Sequence, residues 1–553
     1  MVEEKKDDGP YKTTDLSEAK KKFAHVREYM KELSKQNILE PAMVKKPSKN
    51  DLVDNKVNVI YPVGDPIFIH ILKQQSGVIK YNILQPVLNK EDEKLYEKIS
   101  EKILDTAYRE PVPDNVMDIT EVLFRLLDKV TLIKGKEGAG GLMEKFFGEG
   151  RIPVTKDQYE KVKYFLIRNR VGFGKLQPLF YDEFLEDIHC TGVGFITTVH
   201  KVYGMVYTNL EFKNDDELNK FIVETSERVE RLVSDRNSVV DAIMPDGSRT
   251  NFVYGRDISL EGSSFTIRKF SKVPISITQL INWGTISAEL AAYLWLALEN
   301  GMNVFVCGET ASGKTTTLNA ISAFIKPLAK VYTVENTPEV TMPHDIWQHL
   351  ITREAGTESD IGYLDLLKTA LRSRPDYIIV GEIRGEEGNV AFQAMQTGHP
   401  VLSTFHAGNV QTMIQRLNGD PINIPMAFMD NLNISLIQQA VDQKGKRLRR
   451  VLSVSELERY YAPANKVVTR EVFTWNPSND KHIFRGLFNS YILEQKIARL
   501  KGMTDPREIY NELAHRKKIL LKMVEEGIFY YFDVWEIFKE YNNGGDAALP
   551  FEV

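Results

Sequence analysis

Cysteine is scarce in this 553-residue chain: only Cys190 and Cys307 occur, and neither belongs to a CxxC pattern. Two isolated cysteines exclude a disulfide framework and a cysteine-based structural zinc site, and they suit a reducing cytoplasm. Long apolar runs are also missing, because the longest one, from Leu290 to Cys307, is interrupted by charged and amide side chains. A membrane-spanning helix needs about 18 or more apolar residues. We therefore expect membrane contact only through partners.

A large net charge is absent too. Lys and Arg together number 71 and Asp and Glu 76, which leaves a formal charge of −5. This balance disfavours a protein that coats nucleic acid or an anionic membrane with its whole surface. The N-terminal residues MVEEKKDDGPYK contain no apolar segment, so no signal peptide is expected.

The length predicts several domains, since one domain typically holds about 100–200 residues. Residues 1–150 are expected to form an N-terminal extension with helices and short strands, and residues 151–270 a compact α+β domain. The segment SKVPIS, residues 271–276, reads as a hinge. Residues 277–553 are expected to form an α/β domain whose C-terminal region, after Arg450, is largely helical.

The last block alternates short apolar runs with helical segments. MNVFVCG, AKVYTVEN, YIIVGE and HPVLSTF are nearly continuous apolar strands, each separated from the next by a helical stretch. Strands of this kind are typical of a parallel sheet that helices cover on both faces. The predicted fold class is therefore α/β with a mainly parallel sheet.

A phosphate-binding loop is the strongest functional signal. Gly308-Glu-Thr-Ala-Ser-Gly313-Lys314-Thr315 matches G-x-x-x-x-G-K-[ST] between a predicted strand and a predicted helix. Backbone N–H groups of such a loop surround phosphates, its lysine bridges the β- and γ-phosphates, and its Ser or Thr hydroxyl holds Mg²⁺. ATP and Mg²⁺ are the expected cofactors. The predicted nucleotide-binding residues are Gly308, Thr310, Ala311, Ser312, Gly313, Lys314, Thr315 and Thr316.

A second signal is the apolar strand YIIVGE, which ends in Glu382. In phosphate-loop proteins a neighbouring strand delivers such an acid to the metal or to the attacking water. An apolar strand followed by Glu is common by itself. Its position downstream of the phosphate loop favours the functional interpretation, with Thr315 and Glu382 as the predicted metal residues.

Two more motifs make the order of the chain recognisable. TVENTPE follows the phosphate loop, RPDYIIVGEIRG comes next, and TGHPVLSTFHA follows that. This series resembles the secretion-ATPase superfamily of type II secretion, type IV pili and type IV secretion. MPDGSR, GSSFTIRKF and RRVLSVSEL are most similar to the archaeal branch, in particular the archaellum (archaeal flagellum) assembly and motor ATPase; other archaeal pilus ATPases are close. The four-cysteine insertion of many bacterial relatives is absent from this sequence.

The resemblance implies a RecA-like ATPase domain behind a smaller N-terminal domain, a homo-hexamer, and work at the inner face of the cell membrane. A polytopic membrane platform protein and accessory motor proteins are the implied partners. Carried over residue by residue, it implies catalytic roles for Lys314, Glu382, Glu335, Glu339 and His406, with Thr404 and His399 beside His406. Many relatives have Asp where this chain has Asn336, so the choice between the two carboxylates of the acidic box stays open.

Arginines of the second block complete the implied site. Arg249 and Arg268, with Arg256, match arginines that the family places near the nucleotide, and oligomeric ATPases often supply one from a neighbouring subunit. Each could also be a surface salt-bridge residue. Arg384 is expected to hold the loop around Glu382, although a role across subunits is open.

Three functions compete. The first is an ATP-driven motor for filament assembly, and for rotation if the filament is an archaellum; an archaeal adhesive-pilus ATPase or a type II secretion-like ATPase is the alternative within this class. The second is a nucleic-acid translocase, which the charge disfavours, and the third is a nucleotide-binding scaffold without turnover. A basic run reads as a solvated loop, with an acidic partner and then nucleic acid as alternatives; it consists of Lys444, Lys446, Arg447, Arg449 and Arg450.

Overall fold

The computed structural model describes residues 13–48, 51, 56–108, 110, 116–134, 151–270, 273–353, 360–443 and 446–553. The chain divides into two compact units, Met1–Phe270 and Ser271–Val553. Within the described residues, no helix combines the length and the apolar character that a membrane crossing requires. Residues 271 and 272 of the predicted hinge lie outside the description.

A ten-stranded sheet forms the centre of the first unit, in the order β1-β2-β3-β4-β9-β8-β7-β12-β11-β10. β4 pairs in parallel with β9, so strands from the expected N-terminal extension and from the expected α+β domain share one sheet. Its strands are β1 Ala42–Met43, β2 Asn58–Gly64, β3 Ile67–Lys73, β4 Ile79–Leu84, β7 Leu185–Cys190, β8 Gly194–His200, β9 Gly204–Phe212, β10 Val239–Ile243, β11 Arg249–Val253 and β12 Ser264–Arg268; β5 Thr131–Ile133 and β6 Ile152–Val154 pair separately.

β2 and β3 of this sheet are buried on both faces, whereas β8 to β12 alternate between buried and more exposed residues. In β9, Val206, Thr208, Leu210 and Phe212 are buried, while the residues between them are exposed or half-exposed. This period of two is typical of an antiparallel strand with one face on the core. The helices are α1 Leu16–Lys22, α2 Ala24–Lys35, α3 Lys90–Ala107, α4 Val116–Val130, α5 Lys156–Leu166, α6 Gln177–Tyr181 and α7 Asp215–Arg228.

A nine-stranded sheet organises the second unit, in the order β15-β14-β16-β17-β13-β18-β19-β20-β21. The pairs from β15 to β18 are parallel and those from β18 to β21 antiparallel. Since parallel strands point the same way, the loops after β13, β14, β16 and β17 emerge at one edge. The strands are β13 Val304–Gly308, β14 Val331–Glu335, β15 Trp347–Ile351, β16 Tyr377–Glu382, β17 Val401–Phe405, β18 Ile434–Gln443, β19 Lys446–Tyr461, β20 Lys466–Asn476 and β21 Lys481–Phe484.

Helices pack against both faces of the parallel part, as the apolar strands predict. β13, β14 and β17 are buried at every residue. This is an α/β fold with a mainly parallel central sheet, so the predicted fold class is confirmed. The helices are α8 Ile277–Asn282, α9 Ala288–Glu299, α10 Lys314–Ser322, α11 Tyr363–Arg372, α12 Glu387–Gln396, α13 Val410–Asn418, α14 Ala498–Leu500, α15 Ile509–Glu525 and α16 Tyr531–Gly544.

The sequence interpretation expected the region after Arg450 to be largely helical. The first part of this region instead forms strands. β19 continues to Tyr461, and β20 and β21 follow before the helices begin. The runs VLSVSEL and KVVTREVFTW are rich in β-branched residues, which favour strands, so the signal was present. The basic run is likewise not a loop: Lys446 to Arg450 lie in β19, whereas Lys444 lies outside the described residues.

Candidate active site

The phosphate loop connects β13 to α10 with almost no free space around its two glycines. A Cβ atom on Gly308 would lie 2.1 Å from the carbonyl oxygen of Gln438, and one on Gly313 would lie 2.9 Å from Gln438 Nε2. Gly313 also has φ +93°, a conformation that glycine adopts at little cost. Both glycines are therefore required by close approach of the backbone, as the motif predicts.

Lys314 begins α10 and is buried, with its amine turned back over the loop. Nζ donates to the Glu309 carbonyl at 3.1 Å and lies 3.5 Å from His406 Nδ1. Burial lowers the pKa of Lys314, and the nearby carboxylate of Glu382 opposes that effect. The amine thus stands between the loop, the histidine and the acid, where it can contact a bound phosphate.

Glu382 lies at an irregularity of the sheet. The β16–β17 register shifts between Val380 and Glu382, and Thr404 Oγ1 donates to the Gly381 carbonyl at 2.6 Å. Such a bulge redirects the side chain that follows it. Glu382 Oε2 accepts from Arg384 Nη2 at 2.5 Å, as expected for an arginine that holds this loop.

His406 follows β17 and faces the same carboxylate. Its Nε2 lies 2.8 Å from Glu382 Oε1. That oxygen is buried and has no hydrogen bond of good geometry within the described residues. Burial, and then the charge of Lys314, lower the pKa of His406. The structure therefore brings Lys314, Glu382 and His406 into one cluster, as predicted.

The predicted place of His399 beside this cluster is wrong. His399 precedes β17, and its Nδ1 contacts Thr397 Oγ1 at 3.1 Å. His406 follows the other end of the same strand. Because a strand rises about 3.3 Å per residue, the intervening residues of β17 hold the two histidines at opposite edges of the sheet.

The acidic box follows β14, and its two carboxylates differ. Glu335 Oε1 accepts from the backbone N–H groups of Glu339 and Val340, each at 3.0 Å. Its Oε2 lies 2.8 Å from His349 Nε2. Glu339 is only half-buried, and its charge raises the pKa of Lys314. Glu335 thus shapes the box, while Glu339 is the more exposed of its two carboxylates.

The predicted arginines lie in the first unit, on neighbouring strands. Arg249 of β11 is the register partner of Arg268 of β12. Arg268 Nε also donates to Asp187 Oδ1 at 3.3 Å, and Arg256 Nη2 donates to Asp215 Oδ2 at 2.9 Å. Arg249 and Arg268 therefore share one sheet face, and their role at a nucleotide stays a prediction.

Sequence reasoning missed two polar side chains near the loop. Gln438 of β18 donates from Nε2 to the Ser312 carbonyl at 2.9 Å. Arg416 of α13 donates to the His406 carbonyl. Together with Gly308, Glu309 and Thr310, Arg416 and His406 line an open cavity of about 300 Å³. No local motif marks these residues, because they reach the loop from distant strands and helices.

The residues present fit a nucleotide phosphate and a divalent cation. Within the described part of the chain, Ser312 Oγ is buried without a hydrogen-bond partner. Glu382 Oε1 is also buried without one, although it lies close to His406 Nε2. Thr315, in the first turn of α10, supplies a second hydroxyl of the phosphate loop. An unsatisfied hydroxyl and a carboxylate oxygen are the donor set that Mg²⁺ uses next to phosphates.

The comparisons with known proteins agree with this geometry. Residues 177–469 match the family model described as type II/IV secretion system protein. An uncharacterised protein of Methanocaldococcus jannaschii, MJ0900, is 50% identical over 543 residues, which is 98% of each chain. The chain belongs to the type II/IV secretion ATPase superfamily.

Two further similarities are more distant. The type IV secretion system protein VirB11 of Bartonella quintana is 25% identical over 237 residues, 36% of this chain and 67% of VirB11. The crystal structure of the pilus retraction motor PilT with bound ADP is 20% identical, with a TM-score of 0.38, and covers 59% of this chain and 88% of PilT. Members of this superfamily are ATP hydrolases. The matched residues 177–469 include the phosphate loop, the acidic box, Glu382 and His406.

Proposed function

We propose that this secretion ATPase is the motor that powers assembly of an archaeal type IV pilus-like filament. One observation carries the enzymatic part: four loops at one sheet edge bring Lys314 and Glu382 together with Glu339 and His406 around the phosphate loop. The motor part rests on membership of the superfamily.

The proposed mechanism assigns one task to each side chain. Lys314 binds the β- and γ-phosphates of ATP, and the Thr315 hydroxyl and Glu382 hold Mg²⁺. Mg²⁺, when bound, neutralises charge that develops on the phosphates. Glu339 orients the attacking water, because Glu335 already uses both of its oxygens in holding the box. His406 donates to the γ-phosphate and, through Glu382, senses whether that phosphate is present.

The enzymatic part is tested by phosphate release from ATP with and without Mg²⁺. Lys314→Ala should abolish turnover, because the loop loses its cation toward the phosphates. Lys326→Ala, which removes an exposed lysine after the same helix, is the matched control and should keep wild-type turnover. Full turnover in a folded Lys314→Ala protein would reject the assignment.

The proposed assembly is a homo-hexamer at the inner face of the cell membrane. It would act on a polytopic membrane platform protein, together with accessory motor proteins. Arg249 and Arg268 are proposed to serve the nucleotide site of a neighbouring subunit. Mixing Arg249→Ala subunits with Lys314→Ala subunits, each inactive alone, tests this. Partial recovery in mixed rings supports action across subunits, whereas no recovery in confirmed mixed rings contradicts it.

The archaellum is the first candidate for the filament, and an adhesive pilus is the second. Deletion of the gene, followed by electron microscopy and swimming assays, separates them. Loss of motility filaments supports the archaellum; loss of surface attachment with normal swimming supports the pilus. Unchanged filaments of both kinds would reject the motor proposal, while leaving ATP hydrolysis to be judged by the phosphate-release assay.

A further inference from the structure

The hairpin of β18 and β19 lies directly beside the phosphate loop. β18 pairs with β13 up to Gly308, which is the register partner of Gln438. β18 then continues to Gln443, and β19 returns antiparallel to it, with Arg449 opposite Ala440. The hairpin therefore runs past the point where the loop leaves the sheet, and its side chains can reach the loop's outer surface.

Gln438 holds the loop from the sheet side with both ends of its amide. Nε2 donates to the Ser312 carbonyl at 2.9 Å, and Oε1 accepts from Thr317 Oγ1 at 2.7 Å. Gln438 and Thr317 are both almost fully buried. A buried amide with both donor and acceptor satisfied adopts one orientation, so Gln438 ties the loop to the first turns of α10.

Arg449 contacts the exposed side of the loop at Ala311, one residue before Ser312. Its Nε donates to the Ala311 carbonyl at 3.2 Å. Its Cδ lies only 3.1 Å from where a Cβ of Gly313 would be, so the side-chain stem covers that glycine. Arg450, the next residue, instead pairs with Asp480 through Nε and Nη2 at 2.7 and 2.8 Å. Arg449 and Arg450 of the basic run therefore make different contacts.

These two contacts also determine the orientation of the loop's peptide N–H groups. In a planar trans peptide, the C=O of one residue and the N–H of the next point in opposite directions. Bonding of the Ala311 and Ser312 carbonyls to the hairpin therefore turns the N–H groups of Ser312 and Gly313 inward, away from the hairpin. Ser312 N indeed lies 3.3 Å from the Glu309 carbonyl, which also accepts from Lys314 Nζ. The inward side is the side that Lys314 faces.

We propose that Gln438 and Arg449 are positioning residues that hold two loop peptides with their N–H groups toward the nucleotide's phosphates. The inference rests on the proposed function only in taking a nucleoside di- or triphosphate as the ligand. Neither residue contacts the reacting atoms. Their loss should therefore weaken nucleotide binding more than it slows turnover at saturating ATP.

The test is a titration of the full-length protein with ADP by calorimetry, together with steady-state ATP hydrolysis. Arg449→Ala should raise the Kd for ADP and the KM for ATP about tenfold, the loss expected when one charged donor is removed. The kcat should change far less. Arg449→Lys, which keeps a stem and a donor, should restore part of the affinity. Arg447→Ala is the matched control, because Arg447 lies on the same strand face, two residues away, and is exposed.

Gln438→Glu probes the second contact with an isosteric change. The carboxylate can still accept from Thr317, but it offers no donor to the Ser312 carbonyl, so ADP affinity should fall. If Arg449→Ala binds ADP as tightly as Arg447→Ala, the proposal fails for Arg449. If kcat falls while Kd is unchanged, both residues act in chemistry or assembly instead, which also overturns it. Wild-type protein that binds no ADP would reject the proposed function itself.

Loss of folding is distinguished by the thermal midpoint of the nucleotide-free protein. An Arg449→Ala protein that melts like the wild type but shows a smaller ADP-induced rise in Tm supports the positioning role. A lowered midpoint in Arg449→Ala with unaltered ADP affinity would show that the hairpin contacts serve only the fold, and would overturn the proposal.

Discussion

Glu335 and Glu382 end neighbouring parallel strands, β14 and β16, yet their surroundings differ. The Glu335 side chain is 2% exposed, and both oxygens are bonded, to two backbone N–H groups and to His349. The Glu382 side chain is 19% exposed and contacts Arg384 and His406, whose side chains are 70% and 32% exposed. Glu335 is therefore fixed for structure, whereas Glu382 can exchange its partners for a ligand.

The missing side chain at Gly381 affects the positions of both carboxylates. A Cβ at this position would lie 3.0 Å from Glu335 Cγ, so the glycine makes room for the buried acid. The same residue lies in the bulge that redirects Glu382. One glycine thus allows a fully bonded carboxylate and a more exposed one to lie side by side, and substitutions at the two glutamates should separate stability from turnover.

The largest effect is expected for Glu382→Gln. The amide keeps the shape but loses the charge, so turnover should fall about 10²–10⁴-fold, while ATP still binds. The thermal midpoint should stay near that of the wild type, since the side chain is only partly buried. Phosphate release and ATP binding measure this, with Glu386→Gln, an exposed acid in the same loop, as control. A collapse of ATP affinity with normal turnover per bound ATP would make Glu382 structural.

Glu335→Ala should act in the opposite way. It removes the acceptor for the N–H groups of Glu339 and Val340, and leaving buried donors unpaired should cost about 2–4 kcal/mol. Denaturation of the nucleotide-free protein measures the loss. Glu335→Gln should cost less, because its amide oxygen still accepts. Wild-type stability with abolished turnover in Glu335→Ala would reverse the roles assigned to the two acids.

This contrast also separates what the sequence could predict from what it could not. The phosphate loop and the acid of β16 each lie in one continuous segment, so pattern alone located Lys314, Glu382 and the parallel strands around them. Glu335 was correctly assigned to the acidic box, but its bonds depend on His349 of another strand and on the backbone of the following loop.

Distance along the chain is misleading for both His399 and Arg449. His399 is seven residues from His406, but an extended strand places them at opposite sheet edges. Conversely, Arg449 is 138 residues from Ala311 and yet bonds to it, because a long hairpin pairs beside β13. The number of intervening residues suggests too short a distance between the two histidines and too long a distance between Ala311 and Arg449. The strand order accounts for both distances.

Substitution of Arg384 tests how the Glu382 carboxylate is positioned. Its guanidinium is 70% exposed, so its pair with Glu382 should add under about 1 kcal/mol to stability. Its effect on geometry should be larger: a misplaced carboxylate in Arg384→Ala should lower kcat by about 10- to 100-fold. Arg384→Lys should recover part of this. A normal kcat in Arg384→Ala would show that His406 alone positions Glu382.

The smallest expected effect is electrostatic and concerns His406, which faces the flexible acid. Burial lowers the pKa of His406, the positive charge of Lys314 lowers it further, and the Glu382 carboxylate raises it. Lys314→Met removes the lysine's charge but keeps an unbranched side chain, so the pKa of His406 should rise. NMR titration of the imidazole Cε1–H, assigned with His406→Gln, measures the shift, and Lys326→Met should leave the pKa unchanged. An unchanged pKa in Lys314→Met would mean that burial alone sets it. A lower pKa would mean that Glu382 turns away from His406 once the lysine is gone.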